Sequence, residues 1–365
     1  RLVDDAGHAD LVQGQRRRQP ADGPKRLWSR PLGEGHSSVV VEAGRLYTMY
    51  GKGEQEFVTA LDAATGKTLW EKMNTVSLTG LDLQYGKGPH STPLLVGNLL
   101  FTVGVTGKLQ AFDKQTGNVV WSHELWQEYG GRRMGRGYSC SPLAYKNMVI
   151  VTVGGAGQTL MAFEQKTGKP VWKKQDFELS PSTPTLITVD GQDQLVIALA
   201  DYVVGLSPDS GELLWQHPHK CDYGLNITMP LWGADNILFI SSAYSGGSRA
   251  LELHQAGGKT TVKELWASRR MRVHHTTMLR LGDLVYASSG DFGPAPMTAI
   301  EVKTGNVVWQ DRSFPKTNFV YANGRVVLLD EDGQLALVSL TPQGMKVLAK
   351  AAVLAHTGTD VLRGG

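Results

Sequence analysis

Tryptophan recurs along this chain at intervals that few folds can accommodate. Each Trp ends a short motif in which a hydrophobic run stops, turns at a polar Thr-Gly or similar pair and resumes, as in LQAFDKQTGNVVW at residues 109–121. The positions are Trp70, Trp121, Trp172, Trp215, Trp266 and Trp309, with Leu348 in place of a seventh. Spacings of 51, 51, 43, 51, 43 and 39 residues indicate an internal structural repeat.

Each repeat is typical of four short strands joined by tight turns. In residues 91–121 the runs STPLLV, LLFTVG, LQAFD and NVVW are separated by Gly-Asn, Thr-Gly and Thr-Gly breaks, and they carry the β-branched and aromatic residues that strands favour. Radially arranged four-stranded units of this length are the blades of a β-propeller. We therefore predict an all-β propeller with seven complete blades, within residues 39–72, 91–123, 139–174, 182–217, 228–267, 276–311 and 317–350.

The turn and the Trp have separate predicted tasks. An Asp such as Asp113 accepts hydrogen bonds from backbone N–H groups two or three residues on, and Gly117 supplies a positive φ. The Trp that follows is predicted to pack in the seam between neighbouring blades. Deleting a buried Trp costs about 3–5 kcal/mol, which is why we interpret the six repeat tryptophans as structural rather than as ligand platforms.

Composition limits the partners and the compartment. The 365 residues include 37 Lys and Arg against 34 Asp and Glu, a net charge of +3, which does not suggest a nucleic-acid partner. No apolar stretch is long enough to cross a membrane, and no signal peptide is visible, so the sequence is interpreted as a mature form or a fragment. Two cysteines, Cys140 and Cys221, are too few for a disulfide scaffold.

The pattern A-x-D-x-x-T-G-x-x-x-W, seen in AFDKQTGNVVW and ALDAATGKTLW, resembles the repeat of pyrroloquinoline-quinone (PQQ)-like propellers, the quinoprotein alcohol dehydrogenase-like family. That superfamily includes quinoprotein dehydrogenases and non-catalytic members, among them the periplasmic propeller lipoprotein of the outer-membrane β-barrel assembly machinery. The chain also resembles uncharacterised secreted bacterial PQQ-like repeat proteins. The resemblance covers about residues 26–350 and implies a bacterial protein in the periplasm or secreted, which we expect to be monomeric.

The resemblance also affects how the ends of the chain are interpreted. Such propellers usually have eight blades, and KRLWSR around Trp28 would then be the outer strand of a last blade whose inner strands come from the C-terminus. Residues 351–365 do not supply three strands, so we predict an eight-bladed type with an incomplete or altered last blade; a seven-bladed ring is the alternative. The predicted domains are a poorly ordered polar segment at 1–25, the propeller at 26–350 and a tail at 351–365.

For an enzyme, the resemblance implies two adjacent cysteines above the cofactor, a Trp floor, a calcium site of Glu and Asn, and an Asp base. The sequence contains no Cys-Cys pair and no acidic and amide set at a recognisable spacing. We therefore predict a non-catalytic extracytoplasmic binding or scaffolding propeller with no cofactor and no metal. The alternative is a PQQ-dependent alcohol dehydrogenase-like oxidoreductase with a degenerate site that takes PQQ and calcium.

The segments that enter each innermost strand should surround the mouth of the central channel. They read GHSSV, PHSTP, YSCSP, SPSTP, NITMP and HHTTM, and they place His36, His90 and His275 at equivalent positions. The hydroxyl residues either satisfy backbone groups near the axis or form a polar, partly cationic funnel for a ligand. A histidine metal site is not expected, because blade 6 should lie far from blades 1 and 2. The candidate ligand-binding residues are His36, His90, Tyr138, Asn226, His275, Arg133, Arg136 and Arg272.

The longest loops enter blades 2, 3 and 5, at residues 73–90, 125–140 and 217–229. Trp126, Tyr129 and Tyr223 lie in these loops and are not needed for blade seams, so they are candidate partner contacts. The arginines of the same loops predict a basic face that attracts a protein, a peptide or an anionic glycan. A solvated rim without a partner is the alternative interpretation.

Overall fold

The computed structural model describes residues 25–84 and 86–354. These residues form seven four-stranded antiparallel sheets, one for each predicted repeat, in which the strands pair in sequence order. Helical structure in the described part is confined to the four residues of α1 (Leu125–Glu128) and a single 3₁₀ turn at Asp222–Gly224. The prediction of an all-β propeller with seven complete blades is confirmed.

The strands of the first four blades have the following bounds. Blades 1 and 2 comprise β1 (Val40–Glu42), β2 (Arg45–Lys52), β3 (Gln55–Asp62), β4 (Thr68–Thr75), β5 (Leu94–Val96), β6 (Leu99–Val103), β7 (Lys108–Asp113) and β8 (Val119–Glu124). Blades 3 and 4 comprise β9 (Leu143–Tyr145), β10 (Met148–Thr152), β11 (Leu160–Glu164), β12 (Pro170–Lys174), β13 (Thr185–Val189), β14 (Gln192–Ala198), β15 (Tyr202–Leu206) and β16 (Leu213–Pro218).

The last three blades follow the same plan. Blades 5 and 6 comprise β17 (Leu231–Trp232), β18 (Ile237–Ser242), β19 (Gly247–Ala256), β20 (Lys259–Ser268), β21 (Leu279–Leu281), β22 (Leu284–Ser288), β23 (Met297–Glu301) and β24 (Val307–Asp311). Blade 7 comprises β25 (Thr317–Ala322), β26 (Arg325–Asp330), β27 (Gln334–Thr341) and β28 (Gly344–Ala352). Strand β28 therefore extends two residues beyond 350, where the propeller was predicted to end. The predicted N-terminal segment and most of the predicted tail lie outside the described residues.

The Thr-Gly turn and the Trp of the motif meet across blades, not within one. The Trp70 indole N–H donates to the Lys114 carbonyl at 3.0 Å, and its ring lies on Gly117 of blade 2 so closely that a Cβ there would be 2.5 Å from the indole. Trp121 sits in the same way on blade 3, with its N–H 2.8 Å from the Gln165 carbonyl. The Gly thus provides both the positive φ and the space for the neighbouring blade's Trp.

A small residue opposite each Trp completes the joint. Ala111 pairs with Trp121 across β7 and β8, and the register shifts by a bulge immediately after Ala111. The other blades have this bulge at the equivalent place. A bulge increases local twist and turns the outer strand, so that the Trp faces the next blade. Trp215 differs, because its N–H donates to Gln194 of its own blade at 2.7 Å.

Apolar cores lie between the sheets. Six clusters of buried side chains lie between neighbouring sheets of the described residues, one at each junction from blades 1 and 2 to blades 6 and 7. Each cluster is built from residues that alternate along the strands, since one face of a blade packs on the preceding blade and the other on the following one.

The two ends of the ring are not equivalent. Trp28 lies on the Gly66 turn of blade 1 and donates to the Ala63 carbonyl at 3.0 Å, so it takes the place of a preceding blade's Trp although residues 25–33 form no strand. The outer face of blade 7 is open instead, with Val320 65% and Val327 41% exposed. The described residues thus contain seven complete blades and the Trp of a further outer strand, without that strand.

Candidate functional site

The long loops and three of the strand turns lie at one end of the sheets, since consecutive antiparallel strands run in opposite directions. We call this end the loop face: residues 76–93, 125–142, 219–230 and 269–278, together with the turns 104–107, 243–246 and 289–296. The Thr-Gly turns lie at the opposite end. None of the described helices is long or apolar enough to cross a membrane.

Near the axis, the hydroxyl residues connect one blade to the next. The Thr92 N–H donates to Ser141 Oγ at 2.9 Å, and the Ser141 N–H donates to Thr183 Oγ1 at 2.9 Å. The Thr277 N–H makes the equivalent bond to Asn318 Oδ1 at 2.9 Å. These bonds satisfy backbone groups where the innermost strands begin, which is the structural role considered for these residues in the sequence.

Histidines and a lysine surround the channel mouth on the loop face. The rings of His36 and His90 stack with centroids 5.4 Å apart and an interplanar angle of 20°. His275 of blade 6 is close enough for the charges of His36 and Lys316 to lower its pKa, although burial among protein atoms is the larger cause.

These side chains do not make a metal site. No group of three His, Cys, Asp or Glu residues in the described part of the chain is arranged to hold a metal ion. Burial and, to a lesser extent, the charge of His36 lower the pKa of His90 to about 4, so the His90 ring is neutral at neutral pH. The mouth offers stacked aromatic nitrogen heterocycles and one buried ammonium, Lys316, near Asp291 and Glu331.

Two predicted ligand contacts are buried and hold the loops in place. Tyr138 is 1% exposed, and its hydroxyl donates to the Thr152 carbonyl. Asn226 is fully buried, and its amide donates to the carbonyls of Leu199 at 2.6 Å and His219 at 3.1 Å. Neither side chain reaches the mouth, because inward-pointing residues of these loops satisfy backbone groups that water cannot reach.

Asn226 belongs to a buried polar network that fixes the loop entering blade 5. Ser242 Oγ lies 2.5 Å from Asn226 Oδ1 and 2.9 Å from His219 Nε2. Burial lowers the pKa of His219 to about 3, so the ring is neutral. Because the Ser242 hydroxyl donates to Asn226 Oδ1, it accepts the hydrogen bond from His219 Nε2–H. This serine–histidine contact resembles a catalytic pair, but full burial of His219 assigns it to stability.

A cleft opens on the loop face between blades 1 and 2. It encloses about 240 Å³ and is lined by Thr75, Val76, Ser77, Thr106, Glu124, Trp126, Gln127 and Arg133. The Arg133 guanidinium lies over the Trp126 ring at 5.4 Å and donates to the Thr79 carbonyl at 2.6 Å. Arg133, predicted as a ligand contact, and Trp126, predicted as a partner contact, thus line the same cleft.

The walls of this cleft are held rigidly. The Asp82 N–H donates to the Gly135 carbonyl at 2.8 Å, and Arg136 Nε lies 3.3 Å from Asp82 Oδ2. Beneath them, Val76, Leu78 and Val105 form a small apolar core. Two long loops that pack on each other and on their own core form a preorganised surface, which lowers the entropic cost of binding.

The remaining predicted contacts have different surroundings. Tyr129 is half-buried, and its hydroxyl lies 3.2 Å from His123 Nδ1, so it serves mainly to pack α1 against blade 3. Arg272 Nη1 pairs with Asp291 Oδ2 at 3.3 Å on the far side of the mouth. Tyr223 is 84% exposed, the largest exposed fraction among the large apolar side chains described.

Comparison with known proteins identifies the repeat. The model of the PQQ_2 family, described as outer membrane protein assembly factor BamB, matches residues 16–130 and 54–311, and the second match alone covers more than half of the 365 residues. The chain belongs to this PQQ-like propeller family. Its predicted resemblance to PQQ-like propellers is thereby confirmed.

Similar proteins of the PQQ-like type include dehydrogenase subunits of quinone-linked alcohol dehydrogenases. The dehydrogenase subunit of the alcohol dehydrogenase (quinone) of Gluconobacter oxydans (strain 621H) is 22% identical over 333 residues, covering 80% of this chain and 40% of that protein. The alcohol dehydrogenase (quinone) dehydrogenase subunit of Acetobacter aceti is 21% identical over 286 residues, covering 67% of this chain and 35% of that protein. The chain thus spans only about two fifths or less of these relatives.

Solved structures of PQQ-like propellers show the same fold. BamB from Moraxella catarrhalis superposes with a TM-score of 0.58 at 18% identity, covering 88% of this chain and 90% of that chain. Quinohemoprotein alcohol dehydrogenase from Comamonas testosteroni gives a TM-score of 0.61 at 15% identity, covering 88% of this chain and 67% of that chain. At such identities the likeness concerns the fold alone.

The described residues of this PQQ-like propeller do not fit a calcium–PQQ site. Cys140 and Cys221 are both buried, and they belong to loops of different blades. Most tryptophans are engaged in the blade seams. The carboxylates of Asp291 and Glu331 lie near Lys316, and no group of three His, Cys, Asp or Glu residues in the described part of the chain could hold a metal ion.

Sequence reasoning missed two aromatic residues at the mouth, Tyr244 and Phe292. Phe292 is 65% exposed in the turn between β22 and β23, and Tyr244 lies between it and Tyr223. The sequence contains a signal for Phe292, since DFGPAP places an aromatic side chain among Gly and Pro residues in a turn of the loop face. Tyr244 has no comparable signal, because its position depends on a left-handed backbone conformation.

Proposed function

We propose that this protein is a non-catalytic binding or scaffolding propeller that contacts a protein or peptide through its loop face, outside the cytoplasm. The observation that carries the proposal is the preorganised cleft of Trp126 and Arg133, built from two loops that pack on each other. An aromatic ring beside an arginine is the usual composition of a binding hot spot. The family's description as an outer membrane protein assembly factor supports both the scaffolding role and the extracytoplasmic location.

Blocking one face of the propeller tests the proposal. Gln127 lines the cleft and Gln115 lies in a Thr-Gly turn at the opposite end; both are exposed, and both native cysteines are buried. Gln127→Cys and Gln115→Cys therefore allow a maleimide-coupled polyethylene glycol to be attached to either face. A library of short random peptides is first selected on the unmodified protein.

We expect selected peptides to lose binding when the polymer is on Gln127→Cys and to keep it when the polymer is on Gln115→Cys. A circular-dichroism spectrum and a melting curve for each conjugate establish that the fold is intact. Failure to select any peptide, or equal loss from both conjugates, would contradict a loop-face binding function.

The second candidate is a PQQ-dependent dehydrogenase with a degenerate site. It is favoured by the similarity to alcohol dehydrogenase (quinone) subunits over as much as 80% of the chain. Adding PQQ and calcium chloride tests it, with melting temperature and dye-linked oxidation of ethanol as readouts. We expect no shift and no oxidation; a rise of several degrees together with alcohol oxidation would replace the scaffolding proposal with the enzyme.

A further inference from the structure

Three aromatic side chains form a corrugated surface at the mouth, on the side opposite the Trp126 cleft. We call Tyr223, Tyr244 and Phe292 the aromatic patch. Tyr223 meets Tyr244 edge-on, with centroids 5.8 Å apart at 90°, and Phe292 lies 5.5 Å from Tyr244 at 57°. The central Tyr244 hydroxyl lies 2.6 Å from His274 Nε2, which anchors the patch to the buried His274.

The backbone beneath the patch is strained, and the strain is maintained by specific bonds. Tyr223, Tyr244 and Ser245 have φ of 66°, 47° and 76°, a left-handed region in which each L-residue costs roughly 1–2 kcal/mol. The Asp222 N–H donates to the Tyr244 carbonyl at 2.9 Å, and Ser245 Oγ donates to Asp222 Oδ1 at 2.7 Å. Two turns from different segments of the chain therefore lock each other in the conformation that exposes Tyr223.

Exposing these rings to water does not stabilise the fold. Tyr223 is 84% and Phe292 65% exposed, so each ring leaves most of its apolar area in water. Burying an aromatic ring is strongly favourable, and a strained turn that does the opposite gains nothing for stability. Such a combination is typical of surfaces that become buried when a partner binds.

Positive charge lies beside the patch. Arg269 and Arg270 follow β20 and are exposed, and neither has an ion-pair partner among the described residues. Arg269 is close to the patch in the fold, because a Cβ on Gly247, three residues after Tyr244, would lie 3.3 Å from Arg269 Cα. The nearby carboxylates are engaged: Asp222 with Ser245, and Asp291 with Arg272 at 3.3 Å.

We propose that the aromatic patch, with Arg269 and Arg270, docks a peptide segment in which a large apolar or aromatic side chain is flanked by acidic residues. The apolar side chain would enter the notch between Tyr223 and Phe292, and the acidic residues would meet the arginines. This inference rests on the proposed binding function and names the partner's chemistry and its contact surface. Apolar burial supplies affinity, whereas charge complementarity supplies orientation and association rate.

Ring geometry favours a peptide over a glycan. A sugar ring stacks on a flat aromatic face, whereas the steep angles between Tyr223, Tyr244 and Phe292 form a notch that fits a side chain. The unpaired guanidiniums fit carboxylates, which they bind in a bidentate way.

The test uses the full chain and peptides selected on it from a random library. Selected peptides carry a fluorophore, and fluorescence anisotropy gives Kd for the wild type, Tyr223→Ser/Phe292→Ser and Arg269→Glu/Arg270→Glu. The matched control is Tyr321→Ser, which removes a tyrosine that is 45% exposed on blade 7. We expect the peptides to share an aromatic or large apolar residue next to Asp or Glu.

Both double variants should raise Kd at least about tenfold, since hot-spot truncation commonly has that effect, and Tyr321→Ser should leave Kd unchanged. Arg269→Glu/Arg270→Glu should also weaken the dependence of Kd on salt. The substituted side chains are exposed, so the melting temperature should stay within about 2 °C of the wild type.

The test separates a failure of the aromatic-patch proposal from a failure of the proposed binding function. Peptides that bind the Tyr223→Ser/Phe292→Ser variant as tightly as the wild type, but are blocked by the polymer on Gln127→Cys, overturn the patch and leave the binding function intact. A library that yields no binder overturns both. Binding of heparin fragments that depends on Tyr223 and Phe292, without any peptide that does, overturns the peptide class.

Discussion

Blades 3 and 7 have the same four strands and the same bulge, yet they are buried differently. Ile150 in β10 and Val327 in β26 occupy equivalent positions, since each lies two residues into the second strand and faces away from the preceding blade. Ile150 is fully buried against blade 4, whereas Val327 is 41% exposed. The sequence motif differs as well: Ala162 opposes Trp172 in blade 3, whereas Leu337 opposes Ala349 in blade 7.

This difference shows that a blade of this repeat needs a neighbouring blade on each side. A blade is a sheet with two apolar faces, and only neighbours on both sides can bury both. Blade 7 lacks the seam Trp, and its outer face has no described neighbour to receive one. A seam Trp therefore indicates that another blade packs against the blade that contains it.

The largest effect should come from removing a seam Trp. Trp121→Ala deletes an indole that contacts Phe101 and Phe163 of two blades, and it should lower the free energy of unfolding by about 3–5 kcal/mol. Urea unfolding followed by fluorescence measures it. A loss below about 1 kcal/mol would mean that the blades are held together mainly by the axial hydrogen bonds.

The equivalent pair in blades 3 and 7 tests the comparison directly. Ile150→Ala leaves a cavity between two blades and should cost about 2–5 kcal/mol, whereas Val327→Ala removes methyl groups already in water and should cost under about 0.5 kcal/mol. Equal losses in urea unfolding would show that the outer face of blade 7 is covered in solution.

The pKa of a buried carboxyl between blades 1 and 2 depends on whether water reaches the seam. Burial raises the pKa of Glu56 to about 7 from its usual 4.5, against the opposing hydrogen bond from the Val105 N–H at 2.8 Å. The folded state holds this proton more tightly than the unfolded state, so the contribution is complete below about pH 4.5 and is lost as pH rises through about 7.

Glu56→Gln should remove this pH dependence and stabilise the protein above pH 7 by roughly 3 kcal/mol, from 1.36 kcal/mol per pKa unit. Urea unfolding at several pH values between 4 and 9 measures it. Glu54→Gln in the exposed turn of the same hairpin is the matched control and should change nothing. A pH profile of Glu56→Gln that parallels the wild type would mean that water reaches the seam.

The smallest effect concerns the mouth. Tyr223→Gly relieves a left-handed backbone conformation and should stabilise the protein by up to about 1 kcal/mol, unlike the removal of an apolar side chain from a seam. The melting temperature measures it, with Tyr321→Gly in an ordinary strand conformation as the control that should be destabilising. A loss of stability in Tyr223→Gly would show that the Tyr223 ring supports the fold.

Prediction from the sequence worked best where the chemistry is local. Asp113 accepts from the N–H groups of Gln115 and Thr116 as the turn pattern indicates, and these bonds lower its pKa. It worked less well at the mouth. Tyr138 and Asn226 stand in the same loops as exposed residues, and only the packing of those loops decides that these two point inward.

The sequence alone predicts the number of complete blades and the residues that form each joint, because strand period, turn residues and Trp spacing act within one repeat. The tertiary structure is needed to show that Trp70, Trp121, Trp172 and Trp266 each lie on a Gly of the next blade, and that Tyr223, Tyr244 and Phe292 form one surface. These arrangements join residues from separate repeats, and their distances depend on how the whole ring curves. A local pattern contains no information about that curvature.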